Sequence, residues 1–238
     1  MSETILYYFI AFCYGAVIGS FINAAAMRTV ADKKWWGNER SVCDSCGRTL
    51  SALELIPVVS YIVLGGKWRT CGKKIATRHF ICELGCGLLS VGYVHFLLPS
   101  PALFFALAML PFLLFHTLTD FESGYIYDSW AIAMAVAGIL IRLWGGLPAL
   151  IDGALGAALG FGFIYLIVFV SRGGMGVGDA MLMLGIGSFF GWKMTITAMY
   201  EGFMLGGIII LPLLAMKKVS RHDAVPLGPF LAAGSVLA

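Results

Sequence analysis

Charged residues are scarce in this chain. They make up 12% of its 238 residues, whereas hydrophobic residues make up 60% and the mean hydropathy is +0.89. A typical soluble domain has about 25% charged residues, so a chain of this composition could hardly cover its apolar surface in water. The composition therefore excludes a soluble globular protein and predicts one that crosses a membrane several times.

The first apolar segment also lacks the features of a signal peptide. Ile5–Met27 has no charged residue, and no small-residue cleavage site follows a short apolar core, so we expect a retained helix. Similar runs along the chain predict an all-α membrane protein with seven to eight transmembrane helices. The predicted spans are Ile5–Met27, Phe80–Leu98, Pro101–Thr119, Trp130–Leu147, Ala149–Val170, Ala180–Trp192, Met194–Met216 and Pro226–Ala238, the sixth and eighth being short.

The basic residues are unevenly distributed along the chain. Ten of the sixteen Lys and Arg residues fall between Arg28 and Arg78. Basic residues in short loops accumulate on the cytoplasmic side of a membrane, so we expect this loop in the cytoplasm and the N-terminus outside. We interpret the basic excess as an orientation signal, with the lipid bilayer as a partner and no nucleic acid.

This pattern predicts three parts: a first transmembrane helix (1–27), a cytoplasmic loop subdomain (28–79) and a transmembrane domain (80–238). Cys43, Cys46 and Cys71 lie in the loop, beside glycines and basic residues, where a metal site or a redox pair is conceivable. The other three cysteines lie in apolar stretches, where cysteine usually acts as a small buried hydrophobe.

Two acidic residues stand at the ends of apolar runs. Asp120 ends the third predicted span, and Asp179 follows the passage Gly174-Met175-Gly176-Val177-Gly178 at the start of the sixth. A charge in hydrocarbon costs roughly 2.5–3.5 kcal/mol, so such an acid usually has a function and a partner. Threading the spans from an outside N-terminus brings both aspartates to the cytoplasmic face.

Two carboxylates within a few ångströms share one proton, which creates one acid and one base. The ionised member can take a proton from a water that attacks a peptide carbonyl, while the protonated member donates to the carbonyl oxygen. Gly174, Gly176 and Gly178 have no Cβ atoms, which lets the backbone come close to an extended substrate and adopt positive φ.

Helix capping is the alternative explanation for these acids. Asp179 alone is explained as the N-cap of the sixth span, and Asp128 as the N-cap of the fourth. Capping does not explain Asp120, because the helix dipole opposes an acid at a helix C-terminus.

Six segments of the chain resemble, in order, the bacterial type IV prepilin peptidases. The resemblance covers nearly the whole sequence, which makes it far more specific than any single motif. The segments are Gly19-Ser20-Phe21-Ile22-Asn23, Cys43-Asp44-Ser45-Cys46-Gly47, Leu55-Ile56-Pro57-Val58-Val59-Ser60-Tyr61, Asp120 with Ile126-Tyr127-Asp128, Gly174 to Asp179, and Pro226 to Gly234.

This resemblance implies an aspartic endopeptidase in the plasma (inner) membrane that removes the basic leader from type IV prepilins or pseudopilins at the cytoplasmic face. Asp120 and Asp179 match the catalytic pair of the family, and peptide cleavage there needs no cofactor. Many members also methylate the new N-terminus with S-adenosylmethionine, an activity associated with the cytoplasmic loop.

Three positions depart from the family pattern. Met181 stands where a lysine is usual, Tyr127 where proline is common, and Trp68 where zinc-binding members have a cysteine. A structural zinc normally takes four ligands, and tryptophan cannot supply one. Zinc would therefore need the three loop cysteines and a fourth group such as His79, Asp44 or water.

Two other functions stay open at this point. A proton or cation transporter would also place acids in the membrane, but the sequence has no evident inverted repeat and both acids lie at one face. A non-catalytic prepilin assembly factor could retain both aspartates. His95 and His116 have no second histidine at metal-ligand spacing, so we expect them to be interface or core residues.

Overall fold

The structure, a computed structural model, describes residues 2–37, 40–43, 45–171, 175–218 and 226–238. Within these residues the chain is helical apart from loops and two isolated β-bridges, as predicted for an all-α protein. The α-helices are α1 (Ser2–Val30), α2 (Val59–Val63), α3 (Thr77–Leu97), α4 (Ala102–Ser123), α5 (Asp128–Arg142), α6 (Gly146–Ser171), α7 (Val177–Ala215) and α8 (Gly228–Leu237).

In the described part of the chain, five helical segments are long and apolar enough to cross a membrane, as expected of a multi-pass membrane protein. Two of them have about twice the length of one crossing: the 44 residues of Asp128–Ser171, which comprise α5 and α6, and the 39 residues of α7. The predicted count of seven to eight spans is therefore not confirmed. The ten residues of α8 extend only about 15 Å, half of a hydrocarbon core.

The chain forms two compact units, Met1–Leu107 and Ala108–Ala238, with the boundary inside α4. In the first unit, α1 packs closely against α3. A Cβ atom at Gly19 would lie 2.5 Å from the carbonyl oxygen of Cys82, and Ser20 Oγ donates a hydrogen bond to Glu83 Oε1 at 2.7 Å. Small residues combined with polar cross-links are typical of helix pairs in membranes.

Pro111 interrupts the hydrogen bonding of α4, because proline has no N–H to donate to the carbonyl four residues earlier. That carbonyl belongs to Leu107, and it accepts a hydrogen bond from Tyr14 Oη at 3.0 Å. The side chain from α1 thus satisfies a backbone group that hydrocarbon would leave unpaired.

The segment between α1 and α3 has a small apolar core of its own. Cys43, Leu50, Trp68 and Ile75 are buried together in it. A hydrogen bond connects this segment to α3: the backbone N–H of Val58, just before α2, donates to Oε2 of the buried Glu83 at 2.7 Å.

Glycines also bring the helices of the second unit together. A Cβ atom at Gly160 of α6 would lie 2.6 Å from the carbonyl oxygen of Met183 in α7, and one at Gly202 of α7 would lie 3.0 Å from Leu231 Cα in α8. With glycine at these positions, the backbones of neighbouring helices pack directly on each other, as is common where helices meet inside a membrane.

The long helix α7 is broken at Gly191, which has φ 75° and ψ 173°. Arg142 donates from Nε and Nη2 to the carbonyl oxygen of Phe189, at 3.1 and 2.8 Å, on one side of the break. On the other side, Asp152 accepts from the N–H of Trp192 at 3.3 Å and forms an ion pair with Arg142 at 2.8 Å. The pair thereby satisfies backbone groups exposed by the break.

Candidate active site

Asp120 lies in the last turn of α4 and is buried, with 5% of its surface exposed. The helix stops shortly after it, where the N–H of Gly124, at φ 69°, donates to the Asp120 carbonyl at 2.8 Å. The carboxylate compensates for its unfavourable place at a helix C-terminus by accepting the N–H of Gly228 at 2.9 Å. Gly228 begins α8, so Asp120 meets the positive end of a second helix.

Asp179 is the third residue of α7 and is also buried, with 7% of its surface exposed. The N-cap of α7 is Gly176, so the interpretation of Asp179 as an N-cap is wrong. An acid in the first turn still benefits from the helix dipole. Its Oδ2 turns back towards Gly176, 3.6 Å from where a Cβ atom there would be.

The structure brings the two aspartates together. Asp120 lies close enough to Asp179 for the charge of one carboxylate to act on the other. The neighbouring backbone explains why: a Cβ atom at Gly178 would lie 2.8 Å from Cβ of Ile126, so the start of α7 packs against the loop that follows α4. Two buried acids near enough for one to act on the charge of the other are the starting point for shared-proton chemistry.

The glycines of the motif have different surroundings. Gly174 lies outside the described residues. Gly176 has φ −79°, so the expected positive φ does not occur there. Gly178 is required by close packing instead, since a side chain would displace Ile126.

Asp128, the competing acid, is exposed and is the first residue of α5. The N-cap of α5 is Tyr127, so the prediction of Asp128 as the cap is wrong by one position. Tyr127 has φ −82°, close to the value that proline imposes, so the departure from the family pattern keeps a similar backbone. Met181 lies partly buried in the first half of α7.

Gly228 is the residue of this site that sequence reasoning missed. In the sequence, the motif Pro226 to Gly234 indicated only the family resemblance and no role for Gly228. Its signal was present in Gly228-Pro229, because proline in the first turn is typical of a helix start. The sequence could not indicate that this helix start would meet Asp120.

The loop cysteines form a second cluster, in the first unit. The sulfur atoms of Cys43, Cys46 and Cys71 all lie within 4.8 Å of one another, and the Cys43 and Cys71 sulfurs are 3.8 Å apart. Burial acts to raise the pKa of the Cys43 thiol, but hydrogen bonds from the backbone of Ser45 and Cys46 outweigh it and hold that pKa below its usual value.

No fourth protein ligand joins the three sulfurs among the described residues. His79 Nδ1 lies 2.8 Å from Asn23 Nδ2 on α1, and Asp44 lies outside the described residues. The described residues therefore supply three ligands, one fewer than a structural zinc centre with four protein ligands requires.

Fold and site together define a class: a multi-pass α-helical membrane protein with two buried carboxylates at the ends of two helices. Residues 13–97 match the family model of the bacterial peptidase A24 N-terminal domain, and residues 107–211 match that of the type IV leader peptidase family. The chain belongs to the type IV leader peptidase family.

Similar curated proteins carry the name prepilin leader peptidase/N-methyltransferase. The protein from Burkholderia pseudomallei (strain K96243) is 30% identical over 253 residues, which cover 94% of this chain and 82% of the relative. The protein from Bacillus subtilis (strain 168) is 31% identical over 96% of this chain and 92% of the relative. The protein from Aeromonas hydrophila is 26% identical over 95% of this chain and 88% of the relative. No solved structure matches the chain.

Proposed function

We propose that this protein is an aspartic endopeptidase that cleaves the basic leader from type IV prepilins or pseudopilins. The observation that carries the proposal is the buried, electrostatically coupled pair of Asp120 and Asp179, in a chain whose relatives are named prepilin leader peptidases. Burying an acidic side chain in a membrane protein costs folding free energy. Two buried acids near each other are therefore better explained by a catalytic role than by a contribution to stability.

In the proposed reaction, the ionised carboxylate takes a proton from a water molecule as that water attacks the scissile carbonyl carbon. The protonated carboxylate donates to the carbonyl oxygen, and the resulting intermediate collapses with protonation of the leaving amine. Gly228 orients Asp120 through its N–H, and the packing of Gly178 against Ile126 places Asp179 beside it.

We further propose that the chain crosses the membrane seven times, with α5, α6 and the two halves of α7 each crossing once and α8 entering only partway. With the N-terminus outside, α4 then ends and α7 begins at the cytoplasmic face. The hydrogen bond between Gly228 and Asp120 supports this topology, because the second half of α7 also returns the chain to that face before α8. The scissile bond of a prepilin, between a basic leader and an apolar helix, would also lie at the cytoplasmic face of the membrane.

A second activity, N-methylation of the cleaved product, is supported by a cavity of about 650 Å³ in the first unit. This volume suits a nucleoside-sized ligand. Tyr61 and Phe80, stacked with ring centroids 4.7 Å apart, line it and would hold the adenine of S-adenosylmethionine. Arg28 and Arg78 also line it and would bind the carboxylate. When bound, S-adenosylmethionine supplies an activated methyl group.

Cleavage is tested with the full-length protein in liposomes and a prepilin that has a Gly-Phe junction. Asp120→Asn and Asp179→Asn should each reduce the cleavage rate by about 100-fold or more, because each removes a general acid or base. The matched control is Asp128→Asn, which changes an exposed acid of the same region and should keep the parent rate. Cleavage by either buried-site variant at the parent rate would overturn the proposal. Binding of prepilin without cleavage by the parent would indicate an assembly factor.

Methylation is tested with a prepilin product that has already been cleaved, so that the result does not depend on the aspartates. Tyr61→Leu should weaken equilibrium binding of labelled S-adenosylmethionine and reduce methyl transfer, while the exposed Tyr125→Leu should change neither. Unaltered binding in Tyr61→Leu would place the methyl donor outside the cavity.

A further inference from the structure

The loop between α1 and α3 contains the same turn twice. Residues 66–75 repeat the backbone arrangement of residues 41–50, apart from the undescribed residue 44, at an offset of 25 positions. Each turn has an isolated antiparallel bridge and a glycine with φ near 70°. Three hydrogen bonds recur at equivalent positions. Cys43 N donates to Arg48 O at 2.7 Å, as Trp68 N donates to Lys73 O at 2.8 Å, and Gly47 N donates to Cys43 O, as Gly72 N donates to Trp68 O, both at 2.9 Å. Leu50 N donates to Ser41 O at 2.9 Å, as Ile75 N donates to Gly66 O at 2.8 Å.

This repeat assigns an equivalent position to each thiol. Cys46 corresponds to Cys71, and both sulfurs belong to the cluster. Cys43 corresponds to Trp68, which takes the place where a twofold arrangement would supply a fourth sulfur. The two turns thus have one backbone arrangement, with a sulfur at three of the four equivalent positions and an indole at the fourth.

The indole of Trp68 is packed in this position rather than turned away from it. Trp68 is 7% exposed and belongs, with Cys43, to the small apolar core of the loop. Cys71 packs against the same core. Trp68 also lines the 650 Å³ cavity, whereas none of the three cysteines is among the described residues that do. Trp68 therefore contacts both the loop core that contains Cys43 and the cavity.

We propose that Cys43, Cys46 and Cys71 form a three-coordinate thiolate site for a soft monovalent metal ion, of which Cu(I) is the type, instead of a four-coordinate zinc site. Thiolates favour soft ions, and Cu(I) accepts three-coordination readily, whereas structural zinc requires a fourth ligand. An ion about 2.3 Å from each of three sulfurs separates them by about 4 Å. The Cys43 and Cys71 sulfurs, 3.8 Å apart, already have this spacing.

The charges around the cluster agree with such a site. Three thiolates and one monovalent cation leave a net negative centre, and the two turns carry several cations. Arg48, which is paired with Glu54, is also near enough for the charges of Cys46 and Cys43 to act on it, and Lys67, Arg69, Lys73 and Lys74 belong to the second turn. Binding releases the thiol protons to solvent and involves no change of oxidation state.

The test uses the full-length protein in detergent under anaerobic, reducing conditions. Cu(I) affinity is measured by competition with a chromophoric Cu(I) chelator, and Zn(II) affinity by competition with a zinc indicator. The parent should bind one Cu(I) per chain. Cys46→Ser, which changes the exposed thiol of the set, should weaken Cu(I) binding by about tenfold or more, since it removes one of three ligands.

The decisive variant is Trp68→Cys, which restores a fourth thiol. It should bind Zn(II) about 100-fold more tightly than the parent and give the strong visible absorption of tetrahedral thiolate-bound Co(II), which the parent should lack. Trp68→Phe keeps an aromatic ring at this position and should bind both metals as the parent does. This variant remains informative if Trp68→Cys fails to fold. Equal zinc affinity in parent and Trp68→Cys would overturn the proposal, as would absence of Cu(I) binding or its persistence unchanged in Cys46→Ser. Prepilin cleavage is measured separately, so either idea can fail alone.

Discussion

The backbone N–H of Gly228 donates to Oδ2 of Asp120 at 2.9 Å, across 108 positions of sequence. The acid ends α4 and the glycine begins α8, so a carboxylate that one helix dipole disfavours is stabilised by another. This contact fixes the orientation of one half of the proposed catalytic pair.

Gly228→Ala should therefore impair cleavage. A Cβ atom at this position would lie 2.7 Å from Oδ2 of Asp120, which must move away. Since a displacement of about 1 Å can cost about 100-fold in rate, we expect at least a tenfold loss in the liposome cleavage assay. Gly207→Ala is the control, because a Cβ atom there has no neighbour within 4 Å among the described residues. Equal activity of the two variants would show that Asp120 tolerates displacement.

Gly176 and Gly178, the two described glycines of the segment Gly174 to Asp179, should respond differently to substitution by alanine. Gly178→Ala would bring a Cβ atom to 2.8 Å from Ile126 and move the start of α7, so cleavage should fall. Gly176→Ala meets Asp179 only at an ordinary contact distance of 3.6 Å, and φ at this position suits alanine. We expect Gly176→Ala to retain most of the activity. The reverse order of cleavage rates would contradict the packing argument.

Gly191→Ala should destabilise the second unit. Position 191 has φ 75°, and a Cβ atom there would collide with the carboxylate of Asp152, which would disturb its ion pair with Arg142. Strain at positive φ alone costs roughly 1–3 kcal/mol. Unfolding monitored in mild detergent should show this loss. Gly162→Ala, where a Cβ atom has no neighbour within 4 Å among the described residues, should leave the unfolding midpoint unchanged or raise it, because alanine favours a helix more than glycine does.

The loop of the first unit should lose stability in acid through Glu54. Arg48 donates to both of its carboxylate oxygens, at 2.7 and 3.2 Å, and Ser51 donates from N and Oγ. Arg48 first, and Ser51 second, lower the pKa of Glu54 to about 2. Because the folded-state pKa lies below the unfolded value of about 4.3, the stabilisation is fully present above that value and is lost as the pH falls towards 2.

Hydrogen exchange in residues 45–58, corrected for the intrinsic effect of pH, should therefore accelerate in the parent between about pH 5 and pH 2. Glu54→Gln should exchange faster at neutral pH and lose most of this pH dependence. A parent with constant protection over that range would contradict a stabilising role for the pair of Arg48 and Glu54.

The helical class and the positions of the key acids could be predicted because they depend on local sequence. Long uncharged runs require helices in a membrane, where each backbone polar group must be paired within its own segment. The sequence also divided the α7 region at Lys193, between the predicted spans Ala180–Trp192 and Met194–Met216, and the structure breaks α7 two residues earlier, at Gly191. What the sequence could not indicate is that Arg142 and Asp152, which are remote in sequence, pair with the backbone groups of this break.

The thiol site shows the same division. The sequence located Cys43, Cys46 and Cys71 and identified Trp68 as a departure from the family pattern. The structure added that the two turns share one backbone arrangement and that Trp68 is buried in the small apolar core of the loop, together with Cys43. Capping was mistaken at Asp128 and Asp179 because boundaries of helices shift by one or two residues with the local turn.

By itself, then, the sequence determined an all-helical, multi-pass membrane protein with an acid at the end of one apolar run and another at the start of a second. Hydropathy is a property of each segment alone, and it suffices to decide which segments enter a bilayer. Tertiary structure decided which acids meet, that Gly228 binds Asp120, and what surrounds the three thiols. These contacts join segments far apart in the chain, and they arise from the packing of specific side chains and backbone surfaces that no single segment encodes.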